Sequence, residues 1–225
     1  MEESGKSCNF AADFEKSMES RLRQIGNVPI DVAVLQTMLP ARTSFTHFLS
    51  KMVDDGELIR LKRGMYVVAP DVSGKMLNEM LIANSLYGPS YVSYSSALHH
   101  YGLIDDVAQT VYSATLKREK QYDTPIGRYV YVKLPARYYA IGLRHVEEDG
   151  CGYVIASPEK ALCDMIIHSS MLNLRSQKDA LTYLEEDLRF DMERLGELDV
   201  ALLEECAACG MKSNSINQII KLIQR

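Results

Sequence analysis

The first forty residues have the apolar spacing of two amphipathic helices. Asp31 is placed to cap the second helix, and Pro40 marks its end, because the residue before a proline resists helical geometry. The first helix, from about residue 12 to 25, has apolar positions at Phe14, Met18, Leu22 and Ile25. The second helix carries Val32, Leu35 and Leu39.

A third helix is predicted from about Arg42 to Asp55-Gly56. Its apolar positions at i, i+3, i+4, i+7 and i+8 are Phe45, Phe48, Leu49, Met52 and Val53. Two runs of β-forming residues follow over 57–69 and meet at Lys62-Arg63-Gly64, which predicts a hairpin. Three helices followed by a two-stranded ribbon is the order of a winged helix-turn-helix.

The remainder of the chain predicts a larger, mixed domain. Helices are predicted over 75–87 and 93–101, and strands over 109–116, 126–134, 138–146 and 151–155. Ser157-Pro158-Glu159 opens another helix, and three or four more fill 176–225, packing onto the middle of the chain. The predicted fold class is therefore α+β: a winged helix-turn-helix over 1–70, then a mixed α/β domain over 71–225, rich in strands over 105–156 and helical over 157–225.

Composition narrows the class of protein. With 225 residues and 47% hydrophobic content, the chain is long and apolar enough to exclude a disordered or collagen-like protein. Its longest apolar runs are too short to cross a membrane, and the acidic, polar start is unlike a secretory signal. Five scattered cysteines do not form a disulfide framework. We therefore expect a soluble, cytoplasmic protein with no membrane partner.

Charge is distributed unevenly. The net charge of −5 argues against a general polyanion binder. Between Lys117 and Arg144, however, seven basic residues face two acidic ones, a local +5, whereas residues 176–205 are strongly acidic. This asymmetry indicates separate surfaces for separate partners, although acidic runs are also common on solvated helix faces.

The third helix offers a candidate DNA-reading face. Opposite its apolar stripe lie short hydrogen-bonding and cationic side chains, the kind that reach base edges in a major groove. The same residues fit an ordinary solvated helix face, but the hairpin that follows adds cations able to contact phosphates. The predicted DNA-binding residues are Arg42, Thr43, Ser44, Thr46, His47 and Lys51 on the helix, and Arg60, Lys62 and Arg63 on the hairpin.

So few cations predict weak DNA binding by one such domain. Useful affinity requires a dimer on two half-sites or a second basic surface. The candidates for that surface are Lys117, Arg118, Lys120, Arg128, Lys133 and Arg137. The tyrosines between them, Tyr122, Tyr129, Tyr131, Tyr138 and Tyr139, fit either contact with a partner or simple alternation along a half-exposed sheet.

No catalytic or metal-binding motif stands out. The adjacent His99 and His100 point to different faces of a helix, and Cys206-Ala-Ala-Cys209 has no second CxxC, so both pairs are interpreted as structural. Glu159 and Asp164 diverge on their helix. We expect neither an enzyme nor a bound cofactor or metal; the least favoured alternative is a nucleic-acid enzyme with the Ser157–Asp164 helix near its site.

Four segments resemble AbiEi-type antitoxins. They are Gly56-Glu-Leu-Ile-Arg-Leu-Lys-Arg-Gly-Met-Tyr66, Tyr91-Val-Ser-Tyr-Ser-Ser-Ala-Leu-His-His-Tyr-Gly-Leu103, Tyr129-Val-Tyr-Val-Lys133 and Ala156-Ser-Pro-Glu-Lys-Ala-Leu-Cys-Asp164, and the resemblance spans roughly residues 15 to 170. The resemblance implies the antitoxin of a type IV toxin–antitoxin, or abortive-infection, pair. Such a protein represses its own promoter by binding inverted repeats as a monomer or dimer, and counters a cognate nucleotidyltransferase-like toxin through its C-terminal domain. The alternative is a protein-interaction module that neutralises its partner directly, without sequence-specific DNA binding.

Overall fold

The computed structural model describes residues 17–39, 44–105 and 109–224. Its helices and sheets make a mixed α+β protein, as the periodicity predicts. The chain divides into two compact units, Met1–Leu86 with Thr124–Ile126, and Tyr87–Asp123 with Gly127–Arg225. In the described part of the chain, no helix combines the length and apolar character needed to cross a membrane.

The first unit contains helices and a small sheet. Its helices are α1 over 17–25, α2 (Val32–Met38), α3 (Phe45–Asp54), α4 (Pro70–Ser73) and α5 (Glu79–Leu86). Its strands are β1 (Ile30–Asp31), β2 (Leu58–Lys62) and β3 (Met65–Val68). As predicted, Asp31 caps α2: its Oδ1 accepts a hydrogen bond from the Ala33 N–H at 3.2 Å. The predicted turn of helix before residue 17, and Pro40, lie outside the described residues.

The predicted apolar stripes of α1, α2 and α3 meet in one core. The strands form an antiparallel sheet in the order β1-β3-β2, and β2 and β3 are the predicted hairpin. Burial of the stripes removes apolar surface from water and fixes which face of each helix remains outside. The buried members of this core are Met18, Leu22, Ile25, Leu35, Leu39, Leu49, Met52, Leu58 and Val68.

The second unit is built on a six-stranded sheet. Its strands are β4 (Ser90–Val92), β5 (Thr110–Thr115), β6 (Lys120–Thr124), β7 (Gly127–Lys133), β8 (Leu143–Glu148) and β9 (Cys151–Ala156). They lie in the order β6-β7-β5-β4-β9-β8. The β5–β7 and β4–β9 pairs are parallel, while β4–β5 and β8–β9 are antiparallel.

Helices flank this sheet. They are α6 (Tyr94–His100), α7 (Ala136–Tyr139), α8 (Pro158–His168), α9 (Gln177–Thr182), a π-helix (Tyr183–Asp187), a 3-10 helix (Met192–Glu197), α10 (Val200–Ala208) and α11 (Ser213–Ile223). The predicted cap of α8 is present, since the Ser157 Oγ accepts from the Lys160 N–H at 3.3 Å and Pro158 starts the helix. Helices α10 and α11 contact α8, so the C-terminal helices pack within this unit as predicted.

Several elements differ from the sequence prediction. The strand predicted over 138–146 is wrong at its start: α7 follows Pro135, the Tyr138 side chain is fully buried, and β8 begins only at Leu143. The helix predicted from residue 75 begins at Glu79. Strands β4 and β6 were not predicted, because β4 is only three residues long and the edge strand β6 has no buried residue and hence no apolar alternation.

Candidate functional site

The outer face of α3 is polar and exposed. Thr46, His47 and Lys51 are exposed, whereas Leu49 and Met52 of the same helix are buried in the core. Because these apolar side chains fix the rotation of α3, the outward direction of its polar face is set by packing. Ser44 is exposed at the N-cap position. Arg42 and Thr43 lie outside the described residues.

The three hairpin cations have different surroundings. Arg60 and Arg63 are exposed, and Arg63 lies in the turn between β2 and β3. Lys62 is half-buried, and its Nζ donates a 2.6 Å hydrogen bond to the Leu86 carbonyl oxygen at the end of α5. A cation at the C-terminus of a helix interacts favourably with the helix dipole. Lys62 therefore has an intramolecular partner that the sequence does not reveal.

The predicted second basic surface consists entirely of exposed side chains. These are Lys117, Arg118, Lys120, Arg128, Lys133 and Arg137. Lys117 and Arg128 make polar contacts within this unit. The Lys117 Nζ donates to the Gly88 carbonyl oxygen, and the Arg128 Nε lies 2.7 Å from Asp123 Oδ1. The hydrogen bond from Arg128 lowers the pKa of the Asp123 carboxyl.

The tyrosines in this segment mostly belong to the core. Tyr129 and Tyr131 are buried on β7, which corresponds to the predicted alternation along a half-exposed sheet, whereas the buried Tyr138 belongs to α7. Tyr122 is half-buried, and its ring centroid lies 5.9 Å from that of Tyr131 and 6.1 Å from that of Tyr87. The Lys120 Nζ lies 5.0 Å from the Tyr122 centroid, so a cation and an aromatic ring share this edge of the sheet.

A buried ionic network joins two of the motifs found in the sequence. The Lys160 Nζ lies 3.1 Å from Asp164 Oδ1, one helical turn away on α8, and both side chains are fully buried. Asp164 Oδ2 accepts hydrogen bonds from Ser93 Oγ at 2.6 Å and from Tyr91 OH at 3.0 Å. The Lys160 Nζ also donates to the Tyr138 carbonyl oxygen at 3.0 Å.

Burial of the Lys160–Asp164 pair removes both charged groups from water. Burial raises the pKa of Asp164 and lowers the pKa of Lys160, while the attraction between the two charges opposes both shifts. Sequence reasoning missed this pair. The available signals were the i, i+4 spacing of Lys160 and Asp164, and the two-residue spacing between Tyr91 on β4 and Ser93 at the start of α6.

The remaining candidate groups, which are carboxylate, thiol and imidazole side chains, contact other groups of the protein itself. Glu159 is buried, and its Oε1 accepts from the Asp199 N–H at 3.0 Å, so it and Asp164 bind different groups. Cys163 and Cys206 are buried free thiols joined by a hydrogen bond that raises the pKa of Cys163 and lowers that of Cys206. His99 Nδ1 lies 3.3 Å from the Ile104 carbonyl oxygen. Residues 17–39, 44–105 and 109–224 contain no cluster of side chains suited to a metal ion.

No protein-family model matches the sequence, and no curated protein is significantly similar to it. The resemblance to AbiEi-type antitoxins therefore stays a prediction, based on the four quoted segments.

Proposed function

We propose that the first unit is a winged helix-turn-helix and that the protein is a DNA-binding transcriptional repressor. The order α1-β1-α2-α3-β2-β3 supports this proposal, since α3 takes the place of a recognition helix and the β2–β3 hairpin that of a wing. The observation that carries it is the polar face of α3. Thr46, His47 and Lys51 are exposed there, as base-edge and phosphate contacts must be.

The distribution of charge on the chain determines the affinity expected for DNA. Asp54 and Asp55 are exposed at the end of α3 and partly offset the cations of the first unit. Affinity then depends on a dimer on inverted repeats or on added phosphate contacts from the second basic surface. The six exposed cations of that surface are suited to such contacts, which carry no sequence information.

We place this repressor in a type IV toxin–antitoxin pair. The resemblance to AbiEi-type antitoxins supports this assignment. In it, the chain represses its own promoter through inverted repeats, and the second unit counters a nucleotidyltransferase-like toxin. The role is one of binding rather than catalysis, and it requires no cofactor.

A gel-shift experiment tests DNA binding. The full chain is titrated onto DNA from upstream of its own gene and onto a shuffled sequence of equal length. We expect preference for the upstream DNA, and we expect His47→Ala/Lys51→Ala to weaken that binding by about tenfold or more, since lost base and charge contacts are worth that much. Lys178→Ala, which removes an exposed cation from α9, serves as control. Equal binding by the double variant and the parent would remove α3 from the interface.

An acidic surface favours a second candidate function, direct neutralisation of a basic partner protein. The exposed carboxylates of the C-terminal helices include Glu185, Glu186, Glu193, Glu197, Glu204 and Glu205. Co-expression of the full chain with the product of the adjacent gene distinguishes the two modes. A stable complex that dissociates at high salt supports direct neutralisation. Rescue of growth without any complex supports the indirect antitoxin.

A further inference from the structure

Strand β8 lies at one edge of the six-stranded sheet. Among the described residues, β9 is the one strand that pairs with it, in an antiparallel register without a bulge. Native sheet edges are usually protected by proline, lysine or a bulge, and β8 has none of these. Its polar side chains, Arg144, His145, Glu147 and Glu148, are exposed. This edge is therefore open to a further strand.

The backbone groups of β8 alternate between β9 and the outside. The Ser157 N–H donates to the Gly142 carbonyl oxygen at 2.7 Å, which continues the β8–β9 register by one pair. Hydrogen-bonded pairs alternate with non-hydrogen-bonded pairs in an antiparallel ladder. The backbone groups of Val146 therefore face β9, as that of Gly142 does, whereas those of His145 and Glu147 face outward. These outward groups are the donors and acceptors with which an added strand would pair.

The side chains of β8 are self-complementary in one antiparallel register. When β8 pairs with β8 of a second copy about Val146, Arg144 lies opposite Glu148 of that copy. His145 then lies opposite Glu147, and two-fold symmetry makes each of these pairs occur twice. Directly opposite side chains have Cβ atoms about 4.5–5.5 Å apart, within reach of ion pairs and hydrogen bonds. The two copies of the half-buried Val146 meet at the centre.

Neighbouring registers lack this complementarity. Opposite residues must share a face of the sheet, so the two-fold axis passes through a residue position of β8. Centring on His145 would place the cation of Arg144 opposite the apolar Val146. Centring on Glu147 would place the two copies of that carboxylate opposite each other and Val146 opposite Glu148. Charge therefore selects the register that is centred on Val146.

The contacts that Arg144 and Glu148 make within their own chain are compatible with this pairing. The Arg144 guanidinium carbon lies 5.9 Å from the Tyr101 ring centroid, and Glu148 Oε2 accepts from Tyr153 OH at 3.1 Å. A guanidinium has several N–H donors, and a carboxylate accepts several hydrogen bonds at once. Both side chains can therefore keep these neighbours and also bind the second copy.

We propose that β8 pairs antiparallel with β8 of a second copy of this chain about Val146, so that the two six-stranded sheets form one continuous sheet in a two-fold dimer. This association needs no DNA. The dimer carries two copies of the first unit, the number that a pair of inverted half-sites takes. The interface is nevertheless independent of the proposed repressor function, because it is tested without DNA.

Sedimentation equilibrium of the full chain tests this interface by charge reversal. The parent should form a dimer. Arg144→Glu sets two carboxylates opposite each other and Glu148→Arg sets two guanidinium groups opposite each other, so each variant alone should self-associate more weakly by about tenfold or more. An equimolar mixture of the two variants restores opposite charges at both pairs. The mixture should therefore form a heterodimer with an affinity close to that of the parent.

The matched controls are Lys178→Glu and Glu204→Arg, which make the same charge changes at exposed positions on α9 and α10. Both should dimerise like the parent, and thermal melting verifies that every variant is folded. Glu147→Lys places a cation opposite His145 and should also weaken the dimer, so the test does not depend on the folding of one pair of variants. A monomeric parent would overturn the proposal. So would folded charge-reversal variants that dimerise as the parent does, or a mixture of the two that stays monomeric.

Discussion

The Ser93 hydroxyl donates a 2.6 Å hydrogen bond to Asp164 Oδ2, although the two residues lie 71 positions apart in the chain. Tyr91 donates to the same oxygen, and Lys160 pairs with the other. The segments 91–103 and 156–164, which carry much of the AbiEi resemblance, are thus held together by one buried carboxylate. Their side chains have a structural explanation that is independent of any function in DNA binding.

We predict that Asp164→Ala destabilises the protein by about 3–5 kcal/mol, because Lys160 is then left buried without its counter-charge. Urea denaturation followed by circular dichroism measures this loss. The control is Glu197→Ala, which breaks the exposed 3.0 Å Arg194–Glu197 pair and should cost less than about 1 kcal/mol. Equal losses in the two variants would show that burial adds nothing to the Asp164 pair.

The same network predicts that the effects of substituting Lys160 and Asp164 on the free energy of unfolding are not additive. Lys160→Met/Asp164→Leu replaces both charges by apolar side chains of similar volume, so no unpaired charge remains. The double variant should therefore be more stable than Asp164→Ala, because the desolvation penalty disappears together with the attraction. Denaturation midpoints measured under identical conditions compare the two. A double variant less stable than Asp164→Ala would mean that the polar contacts of Tyr91 and Ser93 outweigh the ion pair.

Gly142 is predicted to tolerate no side chain. Its φ is +62°, and an added Cβ would lie 2.9 Å from Lys160 Cβ. Gly150 has a similar φ of +75° but open space around it. Gly150→Ala should thus cost about 1–2 kcal/mol from backbone conformation alone, and Gly142→Ala about 1–3 kcal/mol more from overpacking. Urea denaturation of both variants separates the two effects, and equal costs would contradict the steric argument.

The sequence predicted local helices and caps better than it predicted the buried hydrogen bonds around Asp164. The apolar spacing of α3 and the Asp31 cap are local signals, and both elements form as predicted. The Ser93–Asp164 bond depends on β4 lying beside β9, a pairing between distant segments that periodicity cannot reveal. The contact between Lys62 and Leu86 was missed for the same reason.

Asp123 is predicted to titrate below its ordinary pKa of 3.8, because Arg128 donates a hydrogen bond to its ionised form. The pair then stabilises the fold above pH 3.8, and this contribution is lost as the pH falls through the lowered folded pKa. In Arg128→Gln the pKa of Asp123 should rise toward 3.8, as measured by NMR titration of side-chain carboxyl carbons.

Asp179 provides the internal control for that titration. Its pKa is also lowered, but by backbone N–H groups of Arg175 and Ser176, at 2.9 Å and 3.0 Å from its Oδ2. The Arg128→Gln substitution leaves these donors in place, so the pKa of Asp179 should not move. If the pKa of Asp123 also stays unchanged in this variant, Arg128 is not the cause of its shift.

Substitutions of the two adjacent cations of the β2–β3 hairpin are predicted to have different effects. Loss of Arg63 should weaken DNA binding, whereas loss of Lys62 should lower stability. Arg63 is exposed, so Arg63→Ala should weaken binding to all DNA sequences alike and lower the salt slope by about one unit. Lys62 donates to the Leu86 carbonyl oxygen, so Lys62→Ala should leave the salt slope unchanged and lower the free energy of unfolding by about 1 kcal/mol. Fluorescence anisotropy over a range of KCl concentrations, together with urea denaturation, measures both quantities. If Lys62→Ala flattens the salt dependence as Arg63→Ala does and keeps full stability, the Lys62 ammonium faces phosphate rather than α5.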